Sequence, residues 1–146
     1  MTKLASLWAG APLFAHYVHP HNRCLEGSLD LVEIPISVDW ESMIWGGAHP
    51  LDLRVEFTDA KNHAFLIEKI IRRQIDENLA FKALVILTHN IFRFDAPGDF
   101  RRETVQQMAA GIRSIVGRFG LQTWGSSIAE AAAAYRTAVV AQPSST

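Results

Sequence analysis

The chain has 146 residues, 49% of them hydrophobic and 20% charged, which is long enough and apolar enough for one globular domain with a core. Its formal net charge of -1 carries no electrostatic signature of nucleic acid or anionic membrane binding, and its single cysteine excludes an internal disulfide. No apolar run approaches the roughly 20 residues of a membrane span. We therefore predict a chain without nucleic acid partner or membrane span, and favour the cytoplasm for the chain as it stands.

The first half of the chain is predicted to contain two strands after an irregular start. Residues 1–28 are rich in proline, glycine and histidine and are expected to be irregular. Residues 29–38 are typical of a strand, with an end or a bulge at Pro35. Residues 39–50 indicate a loop, and residues 51–57 alternate apolar and polar side chains as a half-buried strand does.

Helices dominate the second half. The predicted elements are a helix at 62–78, a buried strand at 83–88, a helix from Asp99 to about Arg118, a short extended piece at 121–124 and a helix from about Ser127 to Val140. Asp99 is the expected N-cap of the middle helix, and Gly117 and Gly120 are its expected end. Ser127 and Glu130 form a capping box for the last helix. Strands alternating with helices indicate an α/β fold with a mainly parallel sheet.

The run ALVILTH, residues 83–89, is the most informative motif. A buried strand that ends in a polar residue delivers that residue to the carboxyl end of a parallel sheet, where ligands bind. The unperturbed pKa of histidine lies close to neutrality, which suits proton transfer. His89 is therefore the candidate catalytic residue. The alternative is a hydrogen-bonded loop histidine.

Three histidines, His16, His19 and His21, lie close together near the N-terminus. Imidazoles at such spacing can converge on one transition metal. However, the spacing matches no structural zinc pattern, and Pro20 is expected to keep the segment extended. A histidine-rich surface loop is the favoured interpretation of the pattern, so we assign no metal ligand.

Aromatic and acidic residues are combined in the loop predicted at 39–50. Asp39, Trp40 and Trp45 fall within it. Indole rings stack on the apolar faces of sugars, and a neighbouring carboxylate binds hydroxyl groups, so these residues are candidates for substrate binding. Alternatively, the two indoles cover the edge of a small core.

The polar face of the strand predicted at 51–57 carries Asp52, Arg54 and Glu56. A ladder of carboxylate, arginine and carboxylate is usually structural. It also has the composition of a metal nuclease site. Such a site would place a lysine two residues beyond the glutamate, where this chain has Thr58. The structural ladder is therefore the favoured interpretation.

Three stretches resemble the C-terminal part of the polysaccharide deacetylase family, also described as the NodB-homology domain. They are GAPLFAHYVHPHN followed by LDLVEIPISV, then ALVILTH, and then GRFGLQTWGSSIAEAAAAY. The resemblance implies a distorted (β/α) barrel and hydrolytic removal of acetyl groups from N-acetylated sugars. We accordingly predict a partial (β/α) barrel-like sheet of three to four mainly parallel strands with three helices. This single α/β domain would span 29–140, between the irregular segment 1–28 and a flexible tail at 141–146.

The resemblance also implies roles for individual residues. Leu87 would line the acetyl pocket, His89 would be the general acid, and Asp39 with Trp40 would match the family's Asp-Trp pair, whose indole forms a pocket wall. The family's metal-binding motifs are missing, although a divalent metal such as Zn²⁺ is expected for the intact domain. The segment from His16 to Pro20 has the wrong spacing to replace them.

A chain without these motifs is predicted to be a C-terminal half that lacks turnover alone. Half a barrel would leave open sheet edges and an uncovered apolar face, so self-association or a missing N-terminal half is expected. Two alternatives stay open. One is a non-catalytic carbohydrate-binding or interaction module, and the other is an unrelated small α/β domain.

Overall fold

The structure is a computed structural model that describes residues 10–47 and 49–141. These residues form two compact units. The first consists of 10–35, 78–83 and 126–141, and the second of 36–77 and 84–125. Most of the predicted tail at 141–146, and the first nine residues of the predicted irregular segment, lie outside the described residues.

In the first unit, β1 (His16–Tyr17) pairs antiparallel with β2 (Val32–Glu33). The loop between β1 and β2 folds back on itself, so that Gly27 lies against the backbone near Tyr17. Gly27 donates its N–H to the carbonyl of Tyr17 at 2.8 Å, and a Cβ on Gly27 would lie 2.2 Å from a backbone Cα atom. Only glycine allows this approach.

The last helix, α3 (Ile128–Ala141), also belongs to the first unit. Its predicted capping box is present, because the Ser127 hydroxyl accepts from the N–H of Glu130 at 3.3 Å and the Glu130 carboxylate accepts from the N–H of Ser127 at 2.7 Å. Tyr135 on this helix packs against the rings of Tyr17 and Phe81, with centroids 5.3 Å and 5.8 Å away. These contacts join the helix to the rest of its unit.

In the second unit, β3 (Val38–Ile44) pairs antiparallel with β4 (His49–Asp52). Their register shifts between Asp39 and Met43, where β3 bulges, and β4 contains Pro50, which lacks an N–H and is tolerated beside such an irregularity. Residues 45–47 form the turn between the strands, and all three have positive φ angles. Left-handed residues in succession reverse the chain sharply.

Two helices complete the second unit, α1 (Ala60–Asp76) and α2 (Phe100–Arg118). Asp59 and Asp99 cap them, each accepting a backbone N–H from the first turn. At the end of α2, Gly120 has a φ of 70°, and the N–H groups of Gly120 and Leu121 donate to Gly117 and Val116. This is a Schellman motif, which agrees with the end predicted from the glycines.

The core of the second unit forms where α1 packs against β3, β4 and α2. Its buried apolar side chains are Leu51, Leu53, Val55, Leu66, Ile67, Ile70, Ile71, Met108, Ile115 and Val116. Of the four apolar side chains that alternate along 51–57, Leu51, Leu53 and Val55 are buried as predicted, whereas Phe57 is half-buried. Leu66, Ile67, Ile70 and Ile71 of the helix predicted at 62–78 are buried too, but Phe65 on the same helix is 54% exposed. Gln74 is buried instead and donates to the Ile70 carbonyl at 3.4 Å.

The predicted fold class is wrong. The described residues form two antiparallel two-stranded sheets, not a partial (β/α) barrel-like sheet of three to four mainly parallel strands. The run at 83–88 is extended, but it makes a single parallel bridge, between Arg54 and Leu87. In this run, the backbone N–H of Val85 donates to a side chain, Ser37 Oγ, at 2.9 Å and not to a neighbouring strand.

Strand boundaries differ from prediction for a related reason. The region 39–50 was predicted as a loop, yet most of β3 lies within it. The strand predicted at 51–57 ends at Asp52, and residues 121–124 are not a strand. The left-handed turn at 45–47 lets β3 pair with the chain that directly follows it. Local antiparallel pairing thus takes the place of the crossover that a parallel sheet requires.

Candidate functional site

The candidate site is built on a β-turn formed by residues 54–57 in the second unit. The N–H of Phe57 donates to the carbonyl of Arg54 at 3.1 Å. Val55, the first of the two central residues of this turn, is buried, and its N–H donates to the carbonyl of Leu87 at 3.1 Å. Leu87 in turn donates to the carbonyl of Leu53 at 3.1 Å. These bonds bring the end of the run 83–89 against the turn.

A carboxylate and an imidazole meet at this point. Nδ1 of His89 contacts Oε1 of Glu56, and the carboxylate can only accept, so Nδ1–H donates. The Glu56 side chain is 4% exposed, whereas that of His89 is 47% exposed. The buried group therefore orients the exposed one, and Nε2 of His89 is the ring nitrogen left to exchange protons with a ligand.

The second carboxylate oxygen of Glu56 is also informative. Oε2 is buried and has no hydrogen-bond partner among residues 10–47 and 49–141. A buried carboxylate oxygen without a donor is costly, and such atoms in folded proteins call for an explanation. The cost is consistent with a site whose polar groups are completed by a ligand.

Charged neighbours compensate one another at the start of the turn. Arg54 Nη2 lies 3.2 Å from Asp52 Oδ2, and the guanidinium stands over the ring of Phe57 at 4.1 Å from its centroid. Burial raises the pKa of Asp52, and the charge of Arg54 opposes this effect. The predicted ladder is thus half confirmed, because Asp52 and Arg54 pair but Glu56 pairs with His89 instead.

His63 on α1 forms a hydrogen bond to the turn at 54–57. It is fully buried on α1, and Nε2–H donates to the carbonyl of Arg54 at 3.2 Å. Burial lowers the pKa of His63, so its neutral form is favoured in the folded protein. In the part of the chain that the structure describes, its Nδ1 has no hydrogen-bond partner. We assign His63 a positioning role, since it contacts the turn and not the exposed imidazole.

An aromatic cluster adjoins the same turn. The ring of Trp45 lies 4.7 Å from that of Phe57 and 5.6 Å from that of His49, measured between centroids. Trp45 nevertheless remains 56% exposed. Its φ angle is 51°, and a bulky residue in the left-handed region costs about 1–2 kcal/mol. The structure thus holds an exposed indole in a strained position next to Phe57.

The structure separates the predicted site residues into two groups. Leu87, His89 and Trp45 all adjoin the turn at 54–57, the first two through the bonds above and the third through Phe57. Asp39 is committed elsewhere. Burial would raise the pKa of Asp39, but its hydrogen bond from Lys69, at 2.7 Å, and those from Ser42 and the Glu41 backbone bring the pKa below its ordinary value. Trp40 lies beside Asp39 on β3 and is 41% exposed.

Sequence reasoning missed two members of the site. Glu56 was considered only as part of a structural ladder, and His63 only as part of a helix. The alternation across 51–57 gave no signal for Glu56, because it places this residue on the solvent face whereas its side chain is 4% exposed. No local signal existed for His63 either, since its role depends on the packing of α1 against the turn.

Comparison with family models, with curated proteins and with solved structures finds no match for this chain. Among the described residues, no group of three or more His, Cys, Asp or Glu side chains is arranged to hold a metal ion. His19 and His21 lie side by side with ring centroids 6.2 Å apart, whereas His16 is buried and bonds the carbonyl of Phe14. In the same described part of the chain, the helices are too short or too polar to cross a bilayer.

Proposed function

We propose that the chain is a hydrolase that removes acetyl groups from N-acetylated sugars, with His89 as its general acid, and this departs from the expectation that the chain lacks turnover alone because the Glu56–His89 pair forms within the chain itself. The observation that carries the proposal is the Glu56–His89 dyad, in which a buried carboxylate orients a half-exposed imidazole. The resemblance of ALVILTH to the last motif of the polysaccharide deacetylases supports the substrate class. The barrel that the resemblance implied is not part of the proposal.

The chemistry assigned to the dyad is a proton transfer. When an amide carbonyl has been attacked by water, the tetrahedral intermediate collapses as its C–N bond breaks and the electron pair moves to nitrogen. Protonated His89 donates its Nε2 proton to that nitrogen, so that an amine and acetate leave. Glu56 accepts from Nδ1–H throughout, which keeps the ring in one orientation. The turn at 54–57 makes this arrangement rigid before substrate binds.

The divalent metal implied by the family resemblance does not fit the described residues. They contain no group of three or more suitable side chains, and His19 and His21 are not joined by a third ligand. We therefore derive no step through a metal. The proposal assigns one role in the reaction, that of the general acid, to His89.

The proposal is tested by acetate release from an oligomer of N-acetylglucosamine, with and without added Zn²⁺ or Co²⁺. Removing a general acid typically costs about 10²–10⁴-fold in rate, and we expect this loss in His89→Ala. Glu56→Ala, which frees the imidazole, should lose a large part of the rate. His21→Ala removes another exposed imidazole and serves as the matched control. Equal rates in the parent chain and His89→Ala would refute the proposal.

One alternative is favoured by a specific observation. Trp40, Trp45 and Trp124 expose 41%, 56% and 70% of their surface. Exposed indoles are typical of a non-catalytic carbohydrate-binding module, because they stack on sugar rings without chemistry. This alternative predicts that the oligomer binds but that the parent chain releases no acetate under any of the conditions above.

A further inference from the structure

The turn at 45–47 combines backbone strain with an exposed ring. Trp45, Gly46 and Gly47 have φ angles of 51°, 64° and 88°. Glycine adopts such angles without cost, but tryptophan does not. Strained residues persist only where their surroundings hold them, and they cluster at ligand-binding sites. The strain at Trp45 therefore calls for a reason beyond reversal of the chain.

The surroundings that hold the indole are aromatic. Phe57 packs against it edge-on, with an interplanar angle of 61°, and His49 is tilted against it at 56°. His49 and Phe57 also pack against each other, at 5.2 Å between centroids. Three rings in mutual contact fix the orientation of Trp45, while more than half of its surface stays exposed. The result is a rigid, preorganised aromatic platform.

We propose that the exposed face of Trp45 binds the apolar face of a pyranose ring and so holds the sugar next to the Glu56–His89 dyad. Phe57 connects the two features, since it contacts Trp45 and directly follows Glu56 in the turn at 54–57. This inference rests on the proposed sugar substrate, and among the tryptophans exposed within residues 10–47 and 49–141 it selects Trp45 as the ring that carries the binding.

The polar neighbours of Trp45 suit a neutral ligand rich in hydroxyl groups. Arg54 forms an ion pair with Asp52, and the Glu56 carboxylate accepts a hydrogen bond from His89, so these polar groups already have partners. Nδ1–H of His49 donates to the carbonyl of Pro50 at 2.6 Å. Nε2 of His49 is consequently the nitrogen that can accept from a sugar hydroxyl at the rim of the platform. A bound sugar would thus find both an apolar face and an acceptor.

The test measures binding of an N-acetylglucosamine oligomer and of the corresponding glucose oligomer by calorimetry. The informative variant is Trp45→Gly, which removes the ring but suits the positive φ angle and should not unfold the turn. We expect binding to weaken about tenfold or more, equivalent to about 1.4 kcal/mol. Trp45→Phe should retain part of the affinity. Trp124→Ala, which removes the most exposed of the three tryptophans, should bind like the parent chain.

The outcomes separate this inference from the proposed function. Parent-like affinity in a folded Trp45→Gly variant overturns the platform, even if His89-dependent acetate release is seen. Binding that depends on Trp45, without acetate release by the parent chain, supports the platform and contradicts the hydrolase. A parent chain that binds neither oligomer overturns the platform as well.

Discussion

Replacing Ser37 by alanine tests how the run 83–89 is held in place. The Ser37 side chain is buried, and its Oγ accepts the N–H of Val85 at 2.9 Å. Its backbone N–H donates to the carbonyl of Val85 at 3.3 Å, and its carbonyl accepts from Leu53 at 3.0 Å. Alanine keeps both backbone bonds and removes only the hydroxyl. The variant therefore isolates one side-chain hydrogen bond in the chain of contacts that positions His89.

The size of the effect follows from what replaces the lost bond. The net contribution of a hydrogen bond to the free energy of unfolding is about 1 kcal/mol, and a buried amide N–H left without a partner costs up to about 3 kcal/mol. Because the bond between Ser37 and Val85 is only partly buried, water can reach the amide, and we expect a loss of about 1–2 kcal/mol in the free energy of unfolding. For a chain of this size, each kcal/mol lowers Tm by about 4 °C.

Thermal and denaturant unfolding measure this loss, and amide hydrogen exchange locates it. The Val85 amide should exchange faster in Ser37→Ala, together with its neighbours in the run. Ser114→Ala is the control, because Ser114 is exposed on α2 and alanine suits a helix. A change in stability below about 0.5 kcal/mol, with unchanged exchange at Val85, would refute the assigned role of Ser37.

Three further predictions concern stability. Gly27→Ala should destabilise the first unit by about 1–3 kcal/mol in denaturant unfolding, because its Cβ would meet backbone at 2.2 Å, whereas Gly111→Ala has open space and should stabilise α2. Burial lowers the pKa of His63 in the folded protein, so the unfolded chain binds the proton at a higher pH than the folded chain does. The free energy of unfolding should therefore fall as the pH drops below 6.5, by at most about 1.4 kcal/mol per pH unit. That part of the pH dependence should be absent from His63→Gln. Lys69→Ala leaves the buried Asp39 without its cation, which should lower Tm and weaken the loss of stability at acidic pH that comes from the lowered pKa of Asp39.

The helices were predictable because their signals are local. Asp99, Gly120 and the Ser127–Glu130 box act within one helical turn, and the structure confirms each of them. The apolar pattern of the segment 51–57 also identified Leu51, Leu53 and Val55 as buried, although the strand itself ends at Asp52. Such signals need no knowledge of the rest of the fold.

The sheet could not be predicted in this way. The run 83–88 has the same apolar pattern whether it lies inside a parallel sheet or makes one bridge and bonds to Ser37 Oγ. The left-handed angle at Trp45 decides that β3 pairs with β4. Tryptophan gives no local indication of that angle, because its neighbours impose it.

The candidate site shows the same division. The sequence by itself determined that His89 follows an apolar run, that Trp45 precedes two glycines, and that Glu56 lies two and four residues after Arg54 and Asp52. Only the tertiary structure decided that Glu56 pairs with His89 and that His63 forms a hydrogen bond to the turn that carries Glu56. It also decided that Asp39 pairs with Lys69 and not with a residue of the site. The physical reason is the distance along the sequence over which each interaction acts. Capping and periodicity act over a few residues, whereas the pairing of side chains such as Glu56 and His89 depends on the packing that brings distant parts of the chain together.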